Sequence, residues 1–247
     1  MELVEVCRDS QTKAVVNLHG ATLQSWINNG EEMIFVSKDA VFNNVKAIRG
    51  GIPVVFPCFG AWDMGPQHGF ARTSKWTCSK PPFMDESGNA VATFTLVDTE
   101  DTRKMWNGNK FEVNYTVVVK TDCLVTKFTV CNQNSMESFD FTCLLHTYFL
   151  LPDVSKTTIS GLGGLLYVDK TDGGKEKTEE SDPKTISQFT DSVYKNASKD
   201  HLLTNVAGGR TINIKKMNFP DTVVWNPWAE KAKAMADFGD DQYRNMV

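Results

Sequence analysis

The sequence lacks any C-x-x-C pair: Cys7, Cys58, Cys78, Cys123, Cys131 and Cys143 are scattered singly along 247 residues. That spacing argues against a zinc site or a disulfide framework. The six read as reduced thiols packed mostly in a core. A basic excess is also missing, since 26 Lys and Arg stand against 30 Asp and Glu, a net charge of −4. With no long Lys/Arg run, the composition argues against a general role on nucleic acid or an anionic membrane. No apolar run approaches the roughly 18 residues of a membrane span. The N-terminal "MELVEVCRDSQTKAVV" has no basic stretch followed by an apolar one, so no secretory leader is visible. The expectation is a cytoplasmic protein, in which Asn114-Tyr-Thr and Asn196-Ala-Ser are chance matches to the glycosylation pattern. Coiled-coil heptads are absent as well, which points to a monomer. Helical signals are few and late, chiefly "WAEKAKAMADF" and "DDQYRNM".

What is present is mostly strand. "LVEVC" (3–7), "KAVVNL" (13–18), "AVATFTLVD" (90–98), "FEVNYTVVVK" (111–120), "LVTKFTVCN" (124–132), "TINIKK" (211–216) and "TVVWN" (222–226) are β-branched, aromatic and alternating. "FDFTCLLHTYFLL" (139–151) reads as a longer buried strand, and "DKTDGGKEKTEESDPKT" (169–185) as a long exposed loop. Turn residues separate the strands, and no repeat or low-complexity linker divides the chain. Many short strands with few helices predict an all-β protein, a large antiparallel sandwich or barrel formed by one domain over residues 1–247.

Four groups of residues could carry chemistry. Arg49 opens "RGGIPVVFPCFG", where a stiff Gly/Pro loop would aim a guanidinium at an anion; the plainer reading is a surface arginine in a turn. "GPQHGFAR" (65–72) packs Gln67, His68 and Arg72 between glycines and a proline. Such polar groups are costly to bury unless partnered, so the loop is either a surface turn or a ligand cradle. Two arginines on rigid loops suit bidentate contact with a phosphate. His146 lies within "LLHTYFLL", where strand alternation places it with Tyr148 and Leu150 on one face. It is either a satisfied core histidine or a proton-transfer group on a rigid sheet. Trp225 and Trp228 flank Asn226-Pro227 as core or rim packing or as a sugar-stacking platform, and Asp169 is either a strand-ending turn residue or an acceptor for ligand hydroxyls.

Five collinear stretches, "RGGIPVVFPCFG", "PQHGFAR", "HTYF", "GLGGLLYVDK" and "VVWNPWAEKAKAMADFGDDQY", resemble the hexose-6-phosphate 1-epimerases of the aldose 1-epimerase (galactose mutarotase) superfamily. The resemblance implies a galactose mutarotase-like β-sandwich with a sugar cleft. It implies interconversion of the α and β anomers of glucose 6-phosphate, with no metal and no organic cofactor. It gives His146 the role of general acid on the ring oxygen and His68 that of second catalytic histidine. Arg49, Gln67, Arg72 and Asp169 become substrate-binding residues. In the family pattern a V-x-V-E-P strand follows, whose glutamate is the base. The sequence reaches Val247 without it, so the resemblance implies a chain lacking that base and its closing strands. A sugar-phosphate binding protein without turnover is the alternative expectation.

Overall fold

The computed structural model describes residues 2–247, which divide into two compact units. One holds the chain up to Val36 together with Ala40–Thr147; the other holds Ser37–Asp39 with Tyr148–Val247.

In the first unit, Leu3–Asp9, Thr12–Asn17, Thr22–Asn28 and Glu31–Glu32 form one antiparallel sheet. Thr77–Met84, Ala90–Val97, Phe111–Val119 and Leu124–Asn132 form a second, and Leu3–Asp9 packs against its first three strands. Alternation explains the packing. Phe111, Val113, Tyr115, Val117 and Val119 are all fully buried, while Glu112, Asn114, Thr116 and Val118 between them keep solvent contact. Each large buried side chain contributes roughly 1.5–3 kcal/mol through its apolar area. The outer face is laced by polar side chains, with Ser79 Oγ 2.6 Å from Thr95 Oγ1 and Thr95 Oγ1 donating to Asn114 Oδ1 at 2.6 Å. A third, two-stranded pairing sets Val54–Val55 against Leu144–Leu145. Beside it, Phe56 is fully buried among Phe70, Trp106, Phe111, Phe128 and Phe141, at centroid distances of 5.5–6.1 Å.

The second unit has two four-stranded antiparallel sheets. One is ordered Lys184–Thr185, Thr158–Ser160, Asp200–Val206, Arg210–Lys215. The other is ordered Lys175–Thr178, Leu166–Asp169, Thr190–Tyr194, Thr222–Asn226. Two polar clusters hold it, the first around the buried Glu179 and the second around the partly exposed Lys216. Glu179 accepts hydrogen bonds from Lys184 Nζ and Tyr194 Oη, each 2.6 Å away. The Lys216 ammonium donates to the carbonyls of Ala197, Phe219, Pro220 and Asp221 at 3.0–3.3 Å.

Three expectations need correction. The polar segment 169–185 is exposed over most of its length, but it is not one loop, because it contains Lys175–Thr178 and Lys184–Thr185, with Lys177 bonded to Asp169. The run 139–151 is not one strand, since only Leu144–Leu145 pairs regularly and the unit boundary falls after Thr147. The cysteines are not core residues, because Cys7 is exposed and the other five are intermediate. Cys7, Cys78 and Cys131 lie on strands at sheet edges, where one side has no neighbouring strand.

Candidate active site

Arg49, Gln67, His68, Arg72 and His146 all belong to the first unit, and Asp169 belongs to the second. Arg49, His68, Arg72 and His146 are near enough to act on one another's charge, and backbone pairing rather than a long element positions them, while Gln67 is exposed and meets Arg72 through its backbone carbonyl. Gly51 N–H donates to Phe35 O and Ile52 N–H to Leu23 O, both at 2.8 Å, which anchors the loop after Arg49. Gly50, at φ +115°, lies where a Cβ would stand 2.5 Å from Val36 Cα, so only glycine permits this approach. His146 N–H donates to Pro53 O at 3.1 Å, carrying the Leu144–Leu145 pairing one residue further and fixing the histidine beside the same segment.

The loop 65–72 closes as a turn, with Gly69 N–H donating to Pro66 O at 2.9 Å. His68 occupies its third position at φ +69°, a left-handed conformation usually left to glycine or asparagine. Holding a histidine there costs about 1–3 kcal/mol, a strain that tends to mark functional sites. Two bonds to Gly60 offset it. His68 N–H donates to Gly60 O at 2.8 Å, and Gly60 N–H donates to His68 Nδ1 at 3.1 Å. The imidazole also stacks on Phe59, with 5.5 Å between centroids. Arg72 Nη2 donates to Gln67 O at 2.8 Å and so ties the guanidinium to the turn. Gly69, at φ +70°, pairs with Phe56, and a Cβ there would stand 2.1 Å from Phe56 O. Gly69→Ala is therefore expected to lower stability by about 2–3 kcal/mol, read as a fall in the urea midpoint with an unchanged slope.

Electrostatics couple the four charged or titratable groups. Burial first, then Arg72 and Arg49, lower the His68 pKa to about 4. Burial first, then His68, Arg49 and Arg72, lower that of His146 to about 3. His146 is partly buried. Both histidines are thus neutral near pH 7. Their folded pKa values lie below the ordinary 6.5 of an unfolded chain, so below that pH the unfolded chain binds more protons. The stability they contribute is fully present above pH 6.5 and is lost as pH falls towards 4 and below. Urea midpoints are expected to drop between about pH 7 and about pH 5, and to drop less in a His68→Gln/His146→Gln variant.

The other two histidines serve the fold. His19 Nε2 lies 2.8 Å from Lys46 O, and His201 Nε2 lies 2.9 Å from Thr222 Oγ1. In the second unit, Asp169 ends its strand and caps the next turn. Its Oδ1 accepts from Thr171 N at 2.9 Å and Thr171 Oγ1 at 2.6 Å, and Oδ2 from Lys177 Nζ at 2.8 Å. Burial works against its ionisation, but these bonds outweigh it and hold the pKa at about 2. The sugar-binding role that resemblance gives Asp169 rests on the resemblance alone.

Asp191 is the acid that the sequence reading passed over. It lies opposite Trp225 in the sheet, half-buried, and its carboxylate accepts no hydrogen bond among the described residues. Burial raises its pKa against the pull of Lys231 and Lys170. A desolvated carboxyl of this kind is a candidate for facing a ligand. Its signal was an aspartate inside the alternating "TDSVY". Of the two tryptophans, Trp225 meets Tyr148 edge-on at 5.9 Å. Trp228 is held at φ +55° by its N–H bond to Asn226 Oδ1 at 2.9 Å.

Comparison with known proteins shows the family and the fold. The family profile described as Aldose 1-epimerase matches residues 2–247. A protein of Escherichia coli (strain K12) named "Putative glucose-6-phosphate 1-epimerase" is 36% identical over 240 residues, 96% of this chain and 78% of the relative. One of the same name from Cenchrus ciliaris is 35% identical over 239 residues, 95% of this chain and 73% of the relative. A crystal structure described as a "putative mutarotase" from Salmonella typhimurium superposes with a TM-score of 0.89 at 31% identity, covering 99% of this chain and 80% of that one. A galactose mutarotase-like protein from Clostridium acetobutylicum, at 16% identity and a TM-score of 0.69 over 100% of this chain and 87% of that one, shares the fold alone. The all-β class expected from the strand signals is the one this chain has, with strands predominating and two short α-helices, Glu100–Met105 and Trp228–Lys233, and its fold is shared with these structures.

Proposed function

The chain belongs to the aldose 1-epimerase family, and from that premise we propose that it interconverts the α and β anomers of glucose 6-phosphate. The sugar-phosphate reading is supported by the relatives named for glucose 6-phosphate, with Arg49 and Arg72 as the cations whose charge reaches both His68 and His146. A neutral sugar gives no reason to place two guanidinium groups around a reacting centre, whereas a phosphate ester does.

The reaction requires a proton on the ring oxygen and the loss of one from the anomeric hydroxyl. Ring opening gives an aldehyde, the carbonyl turns its other face, and the ring recloses. His146 is proposed as the acid at the ring oxygen. Arg49 and Arg72 hold the phosphate, with Gln67 in the same loop, and His68 faces the reacting end of the sugar. In the second unit, Asp169 is proposed, from the resemblance alone, as a sugar-binding residue. The resemblance gives the hydroxyl proton to a glutamate in a V-x-V-E-P strand, a motif that does not occur in residues 1–247. Binding and turnover are therefore tested separately. Calorimetry should show glucose 6-phosphate binding far more tightly than glucose. Equal affinity for the two would remove the phosphate from the proposal, and tight binding without turnover would make the protein a sugar-phosphate binder.

A further inference from the structure

The His68 imidazole is fixed by more than its own bonds. A backbone N–H can only donate, so the 3.1 Å contact from Gly60 N to Nδ1 requires that Nδ1 carry no proton. The neutral ring therefore holds its proton on Nε2. Protonating Nδ1 would set two N–H groups against each other, which leaves His68 poorly suited to taking up a second proton. The residues that set this geometry lie one step back. Phe59, whose ring stacks on His68, donates its N–H to Thr142 Oγ1 at 2.7 Å. Thr142 N–H in turn donates to Pro57 O at 2.9 Å. One threonine thus clasps the 57–60 segment from both sides, and that segment supplies both the stacking ring and the N–H that selects the tautomer.

We propose that Thr142 is a positioning residue that, through Phe59 and Gly60, locks His68 as its Nε2–H tautomer and presents it to the sugar as a fixed hydrogen-bond donor rather than a proton carrier. The charged and titratable groups around the ring are Arg72, Arg49 and His146. Division of labour follows: His146 moves the proton, and His68 steadies an oxygen on which charge develops. The tautomer lock stands on geometry; only its effect on rate rests on the proposed mutarotase activity.

The test uses the full chain labelled with 15N, with the His68 ring signals assigned by their loss in His68→Gln. At neutral pH the long-range 1H–15N spectrum should show a protonated Nε2 and a bare Nδ1. Thr142→Val, a near-isosteric change at an exposed position, removes the acceptor and should shift His68 towards a tautomer mixture. Thr142→Ser, which keeps the hydroxyl, should restore the lock. With α-glucose 6-phosphate, kcat should fall by up to about 10²-fold in Thr142→Val with a smaller change in KM, and recover in Thr142→Ser. An Nδ1–H or doubly protonated His68 in the unaltered protein overturns the proposal, as does a Thr142→Val spectrum matching the original. A tautomer that responds to Thr142 in a protein that turns over no sugar phosphate supports the lock and removes the mutarotase reading.

Discussion

His146→Gln is expected to slow the anomerisation of glucose 6-phosphate by about 10²–10⁴-fold, the usual worth of a positioned general acid, while sugar-phosphate affinity changes far less. The reasoning begins with charge. Burial, His68, Arg49 and Arg72 together disfavour the imidazolium of His146. A phosphate dianion held by the arginines cancels their repulsion and moves the His146 pKa upward. Binding of the substrate thus prepares the acid that the reaction uses, and proton uptake on binding should appear as a buffer-dependent heat in calorimetry. Glutamine keeps a polar group of similar reach but cannot deliver a proton. A His146→Gln variant with unchanged kcat would show that the ring oxygen is protonated by another group.

Arg72→Ala and Arg49→Ala form the second large prediction. A hydrogen bond to a charged group is worth about 1.5–3 kcal/mol, so each change is expected to weaken glucose 6-phosphate binding by about 10–100-fold. Affinity for glucose should stay where it was, so that the preference for the phosphate ester collapses in the double variant. Lysine should restore only part of the loss, because a point charge cannot reproduce the planar fork. Arg72 also braces the turn through Gln67 O. Thermal midpoints measured alongside separate a loosened loop from a lost phosphate contact. If both variants bound the sugar phosphate normally, the arginines would be fold residues and the clamp would be wrong.

Much of the strand pattern was legible because burial enforces it. Leu124–Asn132 and Thr222–Asn226 match their sequence patterns at both ends. Thr77–Met84 was hidden by Pro81 and Pro82, which a strand tolerates at a sheet edge; the register shifts on either side of Lys80 are the irregularity that accommodates them. The short helix Glu100–Met105 carries no apolar stripe to announce it and depends on the reciprocal Thr99–Thr102 cap. The site was legible where polar side chains sit among glycines and prolines, as in 65–72. Its determining details were not. The left-handed backbone of His68 and the choice of its tautomer by Gly60 are local but depend on how the turn closes, and the clasp from Thr142 joins segments distant in sequence. Asp191 escaped notice because nothing in "TDSVY" distinguishes a half-buried, unbonded aspartate from one at a strand's exposed edge.

The most direct measurement is the rate at which freshly dissolved α-glucose 6-phosphate approaches anomeric equilibrium, followed by exchange NMR with and without the purified, folded protein. The account predicts acceleration proportional to protein concentration, largely lost in His146→Gln. Equal rates with and without protein, or full acceleration by His146→Gln, would contradict it.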